Sequence, residues 1–152
     1  MDKQEYDAKV AWLCGYRQAV QRQRLLAEDL AECRAEAERI APLLRGGGGS
    51  GGSIVTPADK LPRAVERILA AEAELTAQLT RCAAVRQEVL AALGQEQDAQ
   101  RYELLYRRYV LGQGFGQLAA ALHLDARWVR RLHQKSIANL KIDPQKPSKA
   151  LP

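Results

Sequence analysis

Between Arg127 and Lys135 the chain reads RWVRRLHQK, a run whose side chains are almost all hydrogen-bond donors. Arg127, Arg130 and Arg131 each carry a planar fork that can bond guanine O6 and N7 together. Gln134 can bond adenine in the same two-point way, and Lys135 is a compact charge suited to phosphate. Val129, Leu132, Ser136, Ile137 and Leu140 follow one another at spacings of three, four, one and three. On a helix that places them on one inward stripe and leaves Arg127, Trp128, Arg130, Arg131, Gln134 and Lys135 on the other face. A helix with a packed back and a donor-rich front fits the major groove of double-stranded DNA, whereas the plain alternative is a solvated basic face. Trp128 at the start of that face either packs on the preceding helix or lies against a sugar-phosphate edge.

Nothing comparable supports bond-making chemistry. The chain holds two histidines, His123 and His133, with no HExxH, no paired CxxC, no phosphate loop and no strand-associated GxGxxG. The GQGFG of residues 112–116 follows a helix and not a strand, so it is not a phosphate cradle. His133 borders the inward stripe and is expected to pack or to bond a neighbouring helix. His123 is expected to be exposed or to serve the backbone. No enzyme activity, cofactor or metal is expected.

The donor face needs elements to hold it. Apolar spacing predicts one helix over about Tyr102–Leu111, a corner at Gly112, Gly114 and Gly116, and a short helix over about Phe115–Leu122. The donor-bearing helix then runs over Ala126 to about Leu140, with Asp125 placed to accept from its free amides. Gly116 lowers helix propensity near the start of the short helix, which could therefore begin late.

This layout, with VRRLHQKSIANL following AALHLD, resembles the second helix of region 4 of sigma-70-type transcription factors. The arrangement of a long helix, a polar loop, a second long helix and a segment such as RYELLYRRYVLGQGFGQLAAALHLDARWVRRLH is similar to small phage and prophage proteins related to late-gene regulators of the RinA and ArpU kind. Only Arg101–Leu140 carries specific motifs of that resemblance. It departs from the pattern at Phe115-Gly116-Gln117, where relatives place an aromatic followed by acids, and at His123, where many have Gly. The resemblance implies a helix-turn-helix in which Arg127 and Arg131 face bases and Arg130 faces bases or backbone. Arg107, Arg108, Lys135 and Lys141 then mainly meet phosphates. It also implies a transcription regulator in a bacterial host cell, with RNA polymerase as a further partner.

Charge distribution agrees with this independently. Residues 1–100 carry 13 basic and 15 acidic side chains, whereas residues 101–141 carry 8 and 2, so the overall charge of +5 is concentrated where an anion-binding module is expected. Cys14, Cys33 and Cys82 are odd in number and unrelated in spacing, which points away from a disulfide framework. The polar start MDKQEYDAKV lacks the apolar core of a signal peptide, and no run of apolar residues is long enough for a membrane span. A cytoplasmic protein is expected, with no membrane partner.

Leu and Ala dominate and β-branched runs are missing, so the fold class is all-α. From Gln4 to Leu44 a stripe of Tyr6, Val10, Leu13, Val20, Leu26, Leu30, Cys33, Ala37, Ile40 and Leu44 predicts a helix about 60 Å long. GGGGSGGS at residues 46–53 is a flexible loop with the composition of an engineered linker as much as of low-complexity drift. A second long helix is expected to start near Thr56, with Pro57 at its first position and Asp59 three residues on. Its expected seam is Leu61, Val65, Ile68, Leu75, Leu79, Cys82, Val89 and Leu93, interrupted by Glu72 and Arg86, and Gly94 closes it in the left-handed manner of a C-cap. These helices should fold back as a long antiparallel, coiled-coil-like hairpin over residues 1–96, with numbers across the seam summing to roughly 105 at equal rise. A DNA-binding module over 97–141, separable from the hairpin, and a disordered tail over 142–152 complete the expected organisation. The hairpin also offers a surface for homo-oligomers. A terminase-small-subunit-like packaging protein, with the hairpins building a ring, and an adaptor that binds RNA polymerase and not DNA are the alternatives.

Overall fold

The computed structural model describes residues 1–45 and 57–146, with side chains described over 1–42 and 58–146. Among the described residues there are six helices and no strand: α1 (Lys3–Leu13), α2 (Gly15–Arg45), α3 (Pro57–Leu93), α4 (Ala99–Tyr109), α5 (Phe115–Leu122) and α6 (Ala126–Asn139). The expected all-α class is therefore what the chain adopts. The Gly/Ser loop and the proposed start at Thr56 lie outside the described residues, as do residues 147–152 of the tail.

The helix expected to run unbroken from Gln4 is two helices that meet at Cys14. The Cys14 amide still donates to Val10 O at 3.0 Å and Gln18 N to Cys14 O at 3.1 Å, so the joint interrupts little of the ladder. At the end of α3, Gly94 does not take the left-handed cap expected of it. Among the described residues Gly112 is the glycine with positive φ, and the chain leaves α3 through tight turns, Gln95 N to Ala92 O and Glu96 N to Leu93 O.

Contacts divide the chain into two compact units, and the division does not fall at residue 96. One unit comprises Met1–Val20 and Arg81–Pro152, the other Gln21–Thr80. The first holds the main core, in which Leu13 of α1 and Val85, Val89 and Leu93 of α3 are buried with Leu104, Leu105, Tyr109, Val110, Leu118, Val129, Ile137 and Leu140. The expected 97–141 module is thus built on apolar side chains contributed from before residue 97. Ile142 also packs on this core, and Asp143 accepts from the amide of Gln145 at 3.1 Å, so the first residues of the expected tail form an ordered turn.

In the second unit Arg34 bonds Glu72 at 3.0 Å and Arg67 bonds Glu36 at 2.9 Å, joining α2 to α3. All four side chains are largely solvated, so each pair contributes only a few tenths of a kcal/mol to about 1 kcal/mol. Buried positions on α3 differ from the expected seam: Ala64, Ala71 and Gln78 are buried, while Val65 and Leu79 are 44% and 46% exposed. The seam consequently runs Leu61, Ala64, Ile68, Ala71, Leu75, Gln78 and Cys82, a regular alternation of three and four.

Candidate nucleic-acid interface

Three short helices hold the donor face, and each junction has a local cause. Asp98 caps α4 by accepting from the amide of Arg101 at 2.9 Å, which starts that helix three residues earlier than expected. After Tyr109 the chain turns at Gly112, whose φ of 75° suits glycine. Arg17, at the start of α2, lies directly over this corner and donates to Val110 O at 3.3 Å. Helix α5 begins at Phe115 without delay, because the Gln117 side chain accepts from the Gly114 amide at 2.9 Å and steadies the first turn against the nearby glycines. It ends at His123, which occupies the left-handed region at φ 55°, ψ 43° and is exposed. That is the conformation for which glycine is the usual residue. Asp125 occupies the N-cap position of α6 with extended backbone, yet its carboxylate makes no capping bond, contrary to expectation.

The back of α6 is sealed. Val129, Ser136 and Ile137 are fully buried, Leu140 nearly so and Leu132 partly; Ser136 Oγ donates to Leu132 O at 2.7 Å. His133 is buried at the centre of this side, with Nε2 2.6 Å from Tyr109 Oη of α4 and Nδ1 3.0 Å from Tyr6 Oη of α1. A neutral imidazole has one N–H and one lone pair, so it donates to one tyrosine and accepts from the other, and both ring nitrogens are satisfied. The Phe115 ring stands edge-on to it at 5.2 Å. Burial, helped by the nearby charge of Arg108, pulls the His133 pKa from 6.5 down to about 4, and burial pushes the Tyr6 and Tyr109 hydroxyls up. The histidine is a packed hydrogen-bond hub, as its position beside the apolar stripe suggests.

On the front of α6, Arg127, Trp128, Arg130, Arg131, Gln134 and Lys135 are all exposed, and so is Lys141 just beyond the helix. Among the described residues none of Arg127, Arg131, Lys135 and Lys141 has an ion-pair partner. Arg130 leans toward α5, its guanidinium 5.7 Å from the Phe115 ring. Lys141 is fixed through its backbone, which exchanges two bonds with the Gln95 side chain at 2.9 and 3.0 Å and leaves the ammonium free.

Arg107 and Arg108 sit differently. Arg107 is half-buried and paired with Glu103 at 2.8 Å, and Arg108 donates to Gln113 O at 3.0 Å while lying 4.6 Å over the Phe115 ring. Arg108 thereby helps close the corner between α4 and α5. Sequence reasoning did not identify Tyr6, Arg17 or Phe115 as residues that support the face. Their partners are remote in the chain: Tyr6 and His133 are 127 positions apart, and Arg17 and Val110 are 93 apart.

Among the described residues no helix is long and apolar enough to cross a membrane, and no cluster of three His, Cys, Asp or Glu could hold a metal ion. All three cysteines are free thiols. Compared with protein-family models, with curated proteins and with solved structures, the chain has no match.

Proposed function

We propose that the chain is a sequence-specific double-stranded-DNA-binding protein, a transcription regulator of phage or prophage type that works in the cytoplasm of a bacterial host. In this reading α5 and α6 form a helix-turn-helix like that of sigma region 4, and α6 enters the major groove. The observation that carries it is the front of α6: exposed cations and an amide, free of acidic side chains, opposed to a sealed apolar back. A face meant only to keep the protein in solution would mix both signs, whereas unpaired cations on one rigid helix match a polyanion that also presents acceptors. Arg127 and Arg131 read bases, Arg130 reads bases or backbone, and Lys135 and Lys141 meet phosphates. Arg107 reaches a phosphate by exchanging its Glu103 partner.

Helices α2 and α3 form an antiparallel hairpin that positions or associates copies and does no chemistry. The pairs Arg34–Glu72 and Glu36–Arg67 support that direction, because positions advance on α2 as they recede on α3. One helix-turn-helix reads only a few base pairs, so useful specificity comes from a second copy or from RNA polymerase bound alongside.

The test compares two residues of one face on the site selected from a random DNA pool and on scrambled DNA. Arg131→Ala should lose roughly 1 to 3 kcal/mol on the preferred site and relax preference at one or two base pairs. Lys135→Ala should weaken all sequences alike and lower the salt slope by about one. Equal, sequence-independent losses would leave only a phosphate-binding surface, and absence of salt-sensitive DNA binding would end the proposal.

A further inference from the structure

Trp128 is the third residue of α6, and 48% of it is exposed on a face otherwise made of donors. Among the described residues its indole has no ring partner and no guanidinium over it. The arginines nearby do not make up for this: Arg108 and Arg130 lie over Phe115, and Arg127 and Arg131 are solvated. The helix thus presents a large, half-exposed apolar ring on its first turn, the part of a recognition helix that comes nearest to base edges. Among the groups on the floor of the major groove, the apolar one large enough to cover a ring face is the C5 methyl of thymine.

We propose that Trp128 reads a thymine methyl group, next to the base pair that Arg131 contacts. This rests on the DNA-binding reading above and adds a specificity that the arginines cannot supply, since they require acceptors. Trp128 and Arg131 are three residues apart, a rise of about 4.5 Å along the helix, which corresponds to roughly one base-pair step at about 3.4 Å per step. The thymine should therefore lie one or two base pairs from the guanine that Arg131 bonds. Its methyl would be covered by the indole, while Nε1–H remains free at the rim for an acceptor.

The experiment uses the full chain and its selected DNA site, with each thymine replaced in turn by deoxyuridine, which removes the methyl and keeps every hydrogen-bonding group. Replacement at one thymine near the Arg131 position should weaken binding about threefold to fivefold, the worth of one buried methyl group. Trp128→Ala should lose a comparable factor on the thymine site and be indifferent to deoxyuridine there. Trp128→Phe, which keeps an apolar ring, should retain part of the discrimination. Because the indole is about half covered, each variant's urea midpoint is measured alongside, and the readout is the thymine-to-deoxyuridine affinity ratio within each variant, which a change in stability alone does not move. If the parent protein binds the thymine and deoxyuridine sites equally at every position, or if Trp128→Ala remains sensitive to deoxyuridine, the proposal is overturned while the DNA-binding reading stands. If the chain has no DNA preference at all, both fall together.

Discussion

Replacing His133 by Gln should remove a specific part of the protein's acid sensitivity. In the folded chain the imidazole is held neutral by burial between Tyr6 and Tyr109, with a pKa of about 4 against 6.5 when unfolded. Between those values the unfolded chain binds the proton that the folded chain refuses. The stability attached to this group is therefore complete above about pH 6.5 and is lost as pH falls toward 4. A shift of this size corresponds to about 3 kcal/mol in full, of which about 2 kcal/mol should be gone by pH 5. That is a large share of the 5–15 kcal/mol typical of a domain. The groups facing His133 are the two tyrosine hydroxyls and Arg108. Burial raises the pKa of both hydroxyls, which therefore stay neutral over this range, so the titration belongs to the imidazole. Urea unfolding at pH 7 and pH 5 should show a drop in unfolding free energy for the parent chain that is smaller by about 2 kcal/mol in His133→Gln, even though the variant is less stable at pH 7 for want of its tyrosine bonds. Equal drops in the two proteins would refute the buried neutral histidine.

Gly112→Ala should destabilise the protein by about 2 to 3 kcal/mol, from left-handed strain and from displacement of the Arg17 guanidinium, which a Cβ would approach to 2.5 Å. In a double-mutant cycle with Arg17→Ala the crowding component should disappear and the strain remain, and additive losses in urea midpoints would show that Arg17 does not press on this corner. A fragment beginning at Gln97 should give no cooperative thermal transition by circular dichroism, because it lacks Leu13, Val85, Val89 and Leu93 of the core. Two buried leucines at about 2 to 5 kcal/mol each, with two buried valines besides, make a deficit comparable to the whole stability of an ordinary domain. A sharp melt of that fragment would mean that the 97–141 segment is self-sufficient after all.

How much of this was legible in the sequence depended on how local the cause was. The end of α5 was readable, because an apolar triplet at helical spacing finishes just before His123, whereas its start was not fixed: Gly116 suggested a delay that the Gln117 bond to the Gly114 amide removes. The exposed and buried sides of α6 were readable from the same periodicity, since charge and apolarity alternate there with little ambiguity. The seam of α3 was not, because an apolar pattern does not decide between adjacent positions on a helix. Packing turned Ala64 inward rather than Val65, Ala71 rather than Glu72, and Gln78 rather than Leu79. Gly94 shows the converse error: a glycine after a helix permits the left-handed cap but does not require it.

The role of the first twenty residues was the least readable part, and it bears on every experiment above. A stripe of Tyr6, Val10 and Leu13 reads naturally as the beginning of a long coiled-coil helix. Instead Tyr6 bonds the histidine at the centre of α6, and Leu13 enters the core with Tyr109 and Ile137. As a result α6 has its inward polar group satisfied from two different helices, and rotating it about its axis would break one buried and one part-buried hydrogen bond and expose Val129 and Ile137. On the front of the helix, apart from Arg130 near Phe115, no hydrogen bond, ion pair or ring contact ties Arg127, Arg131 and Lys135 to other side chains among the described residues. Substitutions at Arg127, Arg131 and Lys135 should therefore change binding without changing the fold, whereas those at Tyr6, Tyr109 and His133 should change both.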